Sequence, residues 1–402
     1  MKIKLIAIAL LSITAAAVAY YPNGSQSMVL NPTPPVNPPA NPDGNPLVKP
    51  RIEVVFVLDT TGSMGGLIDA AKEKIWSIAT TMASAQPAPE LRMGLVAYRD
   101  RGDDYITRVT DLSDDLDTVY ATLMDFEAAG GGDGPESVNA ALAGAVNQIS
   151  WSQESGAYQV IFLVGDAPPH RDYPDEAQYP QVLAEAARRG IVVNTIRCGN
   201  NLATENEWRQ IAALTQGTYF TVEQGGSAVA IATPFDAEIA ELSKGLDATR
   251  LYYGDPEAKE KAAKKVSATD KLHALASEAA RARRAVFNAL ESGAENLFGD
   301  GDLVTDLEAG LVDLSEINPA DLPMSMQAMA PEERETYIED QVAERQALQS
   351  KIEALAGRRD AYLAEQAEEV DDVAGSLDYQ LFETVRDQAG KKGLAYDETP
   401  KL

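Results

Sequence analysis

Ile52-Glu53-Val54-Val55-Phe56-Val57-Leu58-Asp59-Thr60-Thr61-Gly62-Ser63-Met64 is the stretch that decides the fold. Its first part, 52–58, is an essentially apolar run, as expected of a central strand buried on both faces. It then breaks into a carboxylate, hydroxyls and a glycine. Outward from it, amphipathic and apolar stretches alternate. A helix is predicted over 66–84, strands over 91–98 and 105–109, and an acidic helix starting near Ser113. A helix over 137–149, a buried strand over 158–164 and a helix over 175–189 follow. The series closes with a strand over 191–196, a helix over 204–215 and a strand over 218–222. Strands alternating with helices argue for an α/β fold, a doubly wound and mostly parallel sheet. In such sheets ligands bind beyond the carboxyl ends of the strands.

Three loops fall at those ends. In Asp59-Thr60-Thr61-Gly62-Ser63, alternate residues direct one carboxylate and two hydroxyls toward one spot. Oxygen-only ligands suit a hard cation such as Mg²⁺. Gly130-Gly131-Gly132-Asp133-Gly134-Pro135-Glu136 combines glycines that let the backbone fold tightly with two more carboxylates. Asp166 ends the run 160–165. Each loop alone is a weak signal, since carboxylates at such places often cap helices. Their coincidence in order on one α/β pattern is specific.

Asp59-x-Thr61-x-Ser63 resembles the metal-ion-dependent adhesion site of von Willebrand factor A (VWA) domains, usually written DxSxS or DxTxS. The resemblance covers about 51–222. It implies that Thr61 and Ser63 coordinate the metal directly and that Asp59 acts mainly through water. Many family members carry a threonine in the second loop; Asp133-Gly134-Pro135-Glu136 is instead similar to the integrin β I-like version. That likeness gives the fourth role to Glu136, with Asp133 as the alternative. Asp166 matches the last family aspartate, an outer partner. An acidic residue of a bound protein partner would complete the coordination, with Mg²⁺, or Ca²⁺ or Mn²⁺, as the cation. Asp100, with Asp133 and Glu136, resembles a second, adjacent integrin β site, although Gly131 replaces its asparagine. The plainer role for Asp100 is a loop ion pair with Arg99 or Arg101. Gly66 and Leu67 stand where a third site has aspartates, so that site should be absent.

The chain has 402 residues, of which 45% are hydrophobic, enough for a sizeable core. Its 62 acidic against 34 basic residues give a formal charge of −28, which repels nucleic acid and anionic lipid. Residues 1–19 read as a signal peptide: Lys2 and Lys4, an apolar run over 5–18, and Ala17-Val18-Ala19 before a cleavage point. A retained anchor is the alternative. Export to a periplasm or outside the cell is expected, without membrane insertion after cleavage. Residues 20–50, rich in Asn and Pro, form a semi-rigid spacer. The VWA domain is expected over 51–232. The region 233–402 is expected to be helical, as hairpins packed on the first domain or a short coiled coil, and leaves self-association open.

Some motifs carry less than they spell. Arg101-Gly102-Asp103 matches an integrin-recognition tripeptide by chance, and His170-Arg171-Asp172 lacks the other parts of a kinase. His170 is expected to shape a loop. The lone Cys198 is expected to be packed and inert. Two histidines and one cysteine exclude a zinc site of the usual kind. No nucleophile–base pair is visible, so the chain is not expected to be an enzyme. Metal-dependent protein binding leads, ahead of a metal-dependent hydrolase and of a structural, oligomerising scaffold.

Overall fold

The computed structural model describes residues 49–132, 134–154, 156–223, 231–368 and 377–396. The leader 1–19, nearly all of the spacer and Asp133 lie outside the described residues. Six strands form one sheet in the order β3-β2-β1-β4-β5-β6. They are β1 (Arg51–Asp59), β2 (Glu90–Tyr98), β3 (Thr107–Ser113), β4 (Tyr158–Gly165), β5 (Val192–Cys198) and β6 (Tyr219–Val222). All pairings are parallel except β2 with β3. The fold is therefore a doubly wound, mostly parallel α/β sheet, with a helical region following it.

Because side chains alternate across a strand, β1 feeds two cores. Val54, Phe56 and Leu58 join α1 (Gly65–Ala83) and α2 (Leu116–Met124) on one face. Val55 and Val57 join α3 (Val138–Asn147), α4 (Tyr179–Arg189) and α5 (Leu202–Leu214) on the other. Glu53, the one charge in that run, is buried and held by Arg92 at 2.9 Å. The strand predicted over 105–109 is displaced: β3 starts at Thr107 because Tyr105 is used otherwise. Its ring lies between the Arg99 and Arg108 guanidiniums, and its hydroxyl is 2.6 Å from Thr60 Oγ1.

Beyond β6 the chain is helical: α6 (Asp236–Ala248), α7 (Pro256–Leu275), α8 (Glu278–Asn288), α9 (Ala294–Phe298), α10 (Leu303–Glu308), α11 (Pro331–Glu368) and α12 (Leu377–Gly390). From Lys49 onward the chain is one compact unit. Ser277 caps α8 by accepting from Ala280 N, so the helix-rich stretch 257–292 is broken there rather than continuous. In the 38-residue α11, Ile352 and Leu355 join Ile239 and Leu246 of α6 and Ala282 and Ala285 of α8 in a third core.

The helical region meets α2 through charge. Arg284 of α8, fully buried, grips Asp117 of α2 at 2.6 and 2.5 Å and reaches Asp247 of α6 at 2.8 Å. Thr269 donates to the same Asp117 at 2.9 Å. Asn296 Oδ1 accepts from Leu116 N and Asp117 N, closing the N-terminus of α2. Helix α12 returns to the sheet itself. Its Leu381, Val385 and Ala389 belong to the same core as β1 and α1. Gln388 exchanges two bonds with Asn194 of β5, at 2.7 and 3.0 Å, and accepts from the Tyr158 hydroxyl at 2.8 Å. A two-bond bridge between Gln86 and Ala395 fastens the segment that follows.

Candidate metal centre

The parallel strands deliver their loops to one edge. Asp59, the last residue of β1, is fully buried. Its Oδ1 accepts from Thr61 N at 2.9 Å and from Thr61 Oγ1 at 2.6 Å. With its proton spent on Asp59, the Thr61 hydroxyl keeps lone pairs to offer. Thr61 Oγ1 lies 3.5 Å from Ser63 Oγ, so both hydroxyls share one neighbourhood. Gly62–Met64 forms one short 3-10 turn that hands the chain into α1.

The second loop crosses directly over the first. Gly62 N donates to Gly130 O at 3.2 Å, and Ala129 N donates to Thr60 O at 3.1 Å. Gly131 has φ +79°, and a Cβ there would stand 3.1 Å from Thr61 Cβ and 3.2 Å from Glu136 Oε1. It thus marks the point where Thr61 and the Glu136 carboxylate converge. Glu136 is 4% exposed. Its N donates to Pro168 O at 2.9 Å, and its O accepts from His170 N at 3.1 Å, which stitches this loop to the third.

Asp166 follows β4, and its carbonyl accepts from Thr204 Oγ1 at 2.8 Å, so the first turn of α5 seats its loop. Gly165 is required by crowding. A Cβ there would fall 2.4 Å from the Tyr98 hydroxyl and 3.0 Å from Asp59 Cβ. Asp166, Asp59 and Glu136 are close enough to act on one another electrostatically. Burial, reinforced by the Asp166 charge and opposed by the Thr61 bonds and the Asp166 backbone N–H, pushes the Asp59 pKa up to about 7. Burial also pushes Glu136 up to about 9, with the charges of Asp59, Asp100, Asp103 and Asp166 adding to it. Asp59 Oδ2 and Glu136 Oε2 are buried without a hydrogen-bond partner. Unpaired buried carboxylate oxygens facing like charges are a site short of positive charge. The donors present, two hydroxyls and carboxylates, fit a hard divalent cation. Among the described residues no three His, Cys, Asp or Glu side chains form a metal-holding group by themselves, so any such site here includes the hydroxyls.

Asp100 has other company than its neighbouring arginines. It accepts from Ser137 Oγ at 2.9 Å and from the Tyr173 hydroxyl at 3.3 Å, and His170 Nε2 stands 3.2 Å from its Oδ2. Arg99 pairs instead with Asp104, and Arg101 with Asp175. His170 Nδ1 lies 2.8 Å from Asp172. Burial lowers the His170 pKa, but the bond to Asp172 and the Asp100 charge outweigh it and raise it. Asp103 folds back on the second loop, accepting from Gly131 N at 3.0 Å and Asp100 N at 3.1 Å. The Arg-Gly-Asp tripeptide is therefore spent on its own loops. Sequence reasoning had no sign of Asp103, Ser137 or Tyr173 as loop fasteners. Cys198 is buried, and burial first, then Asp166 and Asp59, pushes its thiol pKa up, so it is inert.

The family model described as von Willebrand factor A domain matches residues 53–233. Among solved structures the chain is similar to the conserved hypothetical protein BatB from Bacteroides thetaiotaomicron, at 16% identity over 43% of this chain and 90% of that one, with a TM-score of 0.33. It is similar to a von Willebrand factor type A protein from Catenulispora acidiphila at 19% identity over 45% of this chain and 40% of that one, TM-score 0.35. A third is proximal thread matrix protein 1 from the mussel byssus, whose MIDAS motif is occupied by zinc, at 16% identity over 43% and 42% of the two chains, TM-score 0.34. No curated protein matches the chain. Among the described residues no helix is long and apolar enough to cross a membrane.

Proposed function

We propose that this chain, whose residues 53–233 form a von Willebrand factor A domain, captures a protein partner through a divalent cation held at Asp59, Thr61, Ser63, Glu136 and Asp166. The observation that carries this reading is the pair of buried, unpartnered oxygens, Asp59 Oδ2 and Glu136 Oε2, beside the Thr61 hydroxyl. Thr61, Ser63 and Glu136 would hold the cation directly, with Asp59 and Asp166 supporting it through water. The cation would supply the positive charge that attracts a partner's carboxylate. The chain's own part is to hold the hydroxyls and carboxylates in place and to leave the outer side open. Ser63 is exposed while Asp59 and Thr61 are buried, so the open side is the solvent side. Mg²⁺ is the expected ion, with Ca²⁺ and Mn²⁺ as competitors. Export, and hence a periplasmic or extracellular partner, remains part of the proposal.

The test is capture of peptides from an array in which every Asp or Glu peptide is paired with its Asn or Gln version. The full chain in Mg²⁺ should retain acidic versions only, and both EDTA and Asp59→Ala should abolish retention. Retention indifferent to EDTA would sink the adhesion reading. Turnover of a phosphate ester that disappears in EDTA would replace it with the hydrolase reading.

A further inference from the structure

His170 touches three loops at once. Its N–H donates to Glu136 O, and its carbonyl accepts from Asn139 Nδ2 at 2.6 Å. Its ring, 2% exposed, stands between Asp100 and Asp172 and stacks on Tyr173 with centroids 4.1 Å apart. Arg101 in turn lies 3.8 Å from the centroid of Tyr173. The segment after β2 and the loop after β4 thus meet on one imidazole, and the loop before α3 joins them through the His170 backbone.

We infer that His170 is a positioning residue for the cation site, fixing the Glu136 carboxylate against Asp166 by tying both loops to Asp100. The inference rests on the cation-binding reading above. Two backbone bonds join Glu136 to the 168–170 segment. Asp100 adds a side-chain tie from the β2 side, because one of its oxygens takes Ser137 Oγ, next to Glu136, and the other faces His170. Tyr173 supports the ring by stacking and by its own hydroxyl bond to Asp100. Without the ring, the loop after β4 keeps only the longer tie of the Tyr173 hydroxyl to Asp100, at 3.3 Å, and Glu136 is held less firmly over Thr61. Residues that orient metal ligands from behind typically cost ~10–100-fold in affinity when removed.

The experiment measures Mn²⁺ affinity by calorimetry and melting temperature in EDTA for the full chain, His170→Ala and His170→Gln. His170→Ala should bind Mn²⁺ ~10–100-fold more weakly. Its melting temperature in EDTA should fall by less than about 4 °C. His170→Gln, which keeps one donor toward Asp100, should lie between the two in affinity. Equal affinity in the parent and His170→Ala overturns the inference. So does an affinity loss that follows the loss of stability in EDTA and is not recovered by glutamine. If the alanine variant does not fold, His170→Leu, which has no donor, takes its place, and parental affinity in it overturns the inference as well. A parent that binds no Mn²⁺ overturns the cation reading itself, and this inference with it.

Discussion

Glu136 and Asp117 are both buried carboxylates, one at the loop edge of the sheet and one where α2 meets the helical region, and the fold treats them in opposite ways. Burial penalises both. At Asp117 the penalty is overcome by Arg284, with Lys265 and Arg250 adding to it, and the carboxyl is driven well below its usual range. At Glu136 and Asp59 the surrounding charges are carboxylates, and both pKa values rise. The helical junction supplies its own guanidinium, whereas the charges that act most on Asp59 and Glu136 are carboxylates. A buried charge with a fixed partner holds a fold together, whereas one among like charges is, on the proposed reading, the place where an incoming cation binds.

Arg284→Met should therefore cost most, because it removes the fully buried cation that Asp117 and Asp247 share and leaves both carboxylates to Arg250 and weaker partners. About 3–5 kcal/mol of stability should be lost in urea unfolding. A loss below about 1 kcal/mol would erase the contrast. Gly165→Ala attacks the other side by forcing a methyl against the Tyr98 hydroxyl and Asp59. It should cost about 1–3 kcal/mol and disturb any cation response together with it.

Asp59→Asn should do the reverse of Arg284→Met in EDTA. The folded-state pKa of Asp59 is raised, so its contribution is intact below the unfolded value of 3.8 and is lost as pH climbs through about 7. At pH 8 the variant should thus be as stable as the parent or more so, by on the order of 1 kcal/mol. A clear loss would mean that the ionised Asp59 carboxylate is already satisfied in the folded chain without a cation.

The smallest effect is expected at His273, which touches Asp247 at 2.7 Å. That contact favours imidazolium, yet burial and the Arg284 charge prevail, and its pKa is lowered to about 4. A lowered folded-state value means that stability is present above the unfolded value of 6.5 and lost as pH falls toward 4. His273→Asn should flatten the decline of melting temperature between pH 6.5 and 4 relative to the parent. The junction and the loop edge then fail at opposite ends of the pH scale.

Much of the loop edge was legible because it depends on local pattern. An apolar run ending in Asp59 places a carboxylate at a strand end, and spacing alone groups Thr61 and Ser63 with it. The fold class followed from the alternation of runs such as 158–164 and 191–196. What joins the loops was not legible. Asp103 looks like a surface acid of an acidic turn, and Asp100 reads as a ligand of a second metal or a partner of its neighbouring arginines; only tertiary contact turns them toward Gly131 and His170. The displaced start of β3 has the same origin, since the contacts of Tyr105 with Arg99 and Thr60 override its strand propensity. Helix α12 shows apolar spacing at Leu381, Phe382 and Val385, but nothing local tells that Gln388 meets Asn194 almost two hundred residues earlier. Arg284 reads as one of several arginines on a helix, and its burial is fixed by Asp117 and Asp247 on two other helices.

The central claim is that the loop edge is short of one divalent cation, and calorimetric titration of Mg²⁺ and Mn²⁺ into the full chain tests it most directly. Saturable binding at one site, lost in Asp59→Ala while the variant stays folded, is the predicted result. Absence of binding by the parent, with and without acidic peptide present, would contradict it.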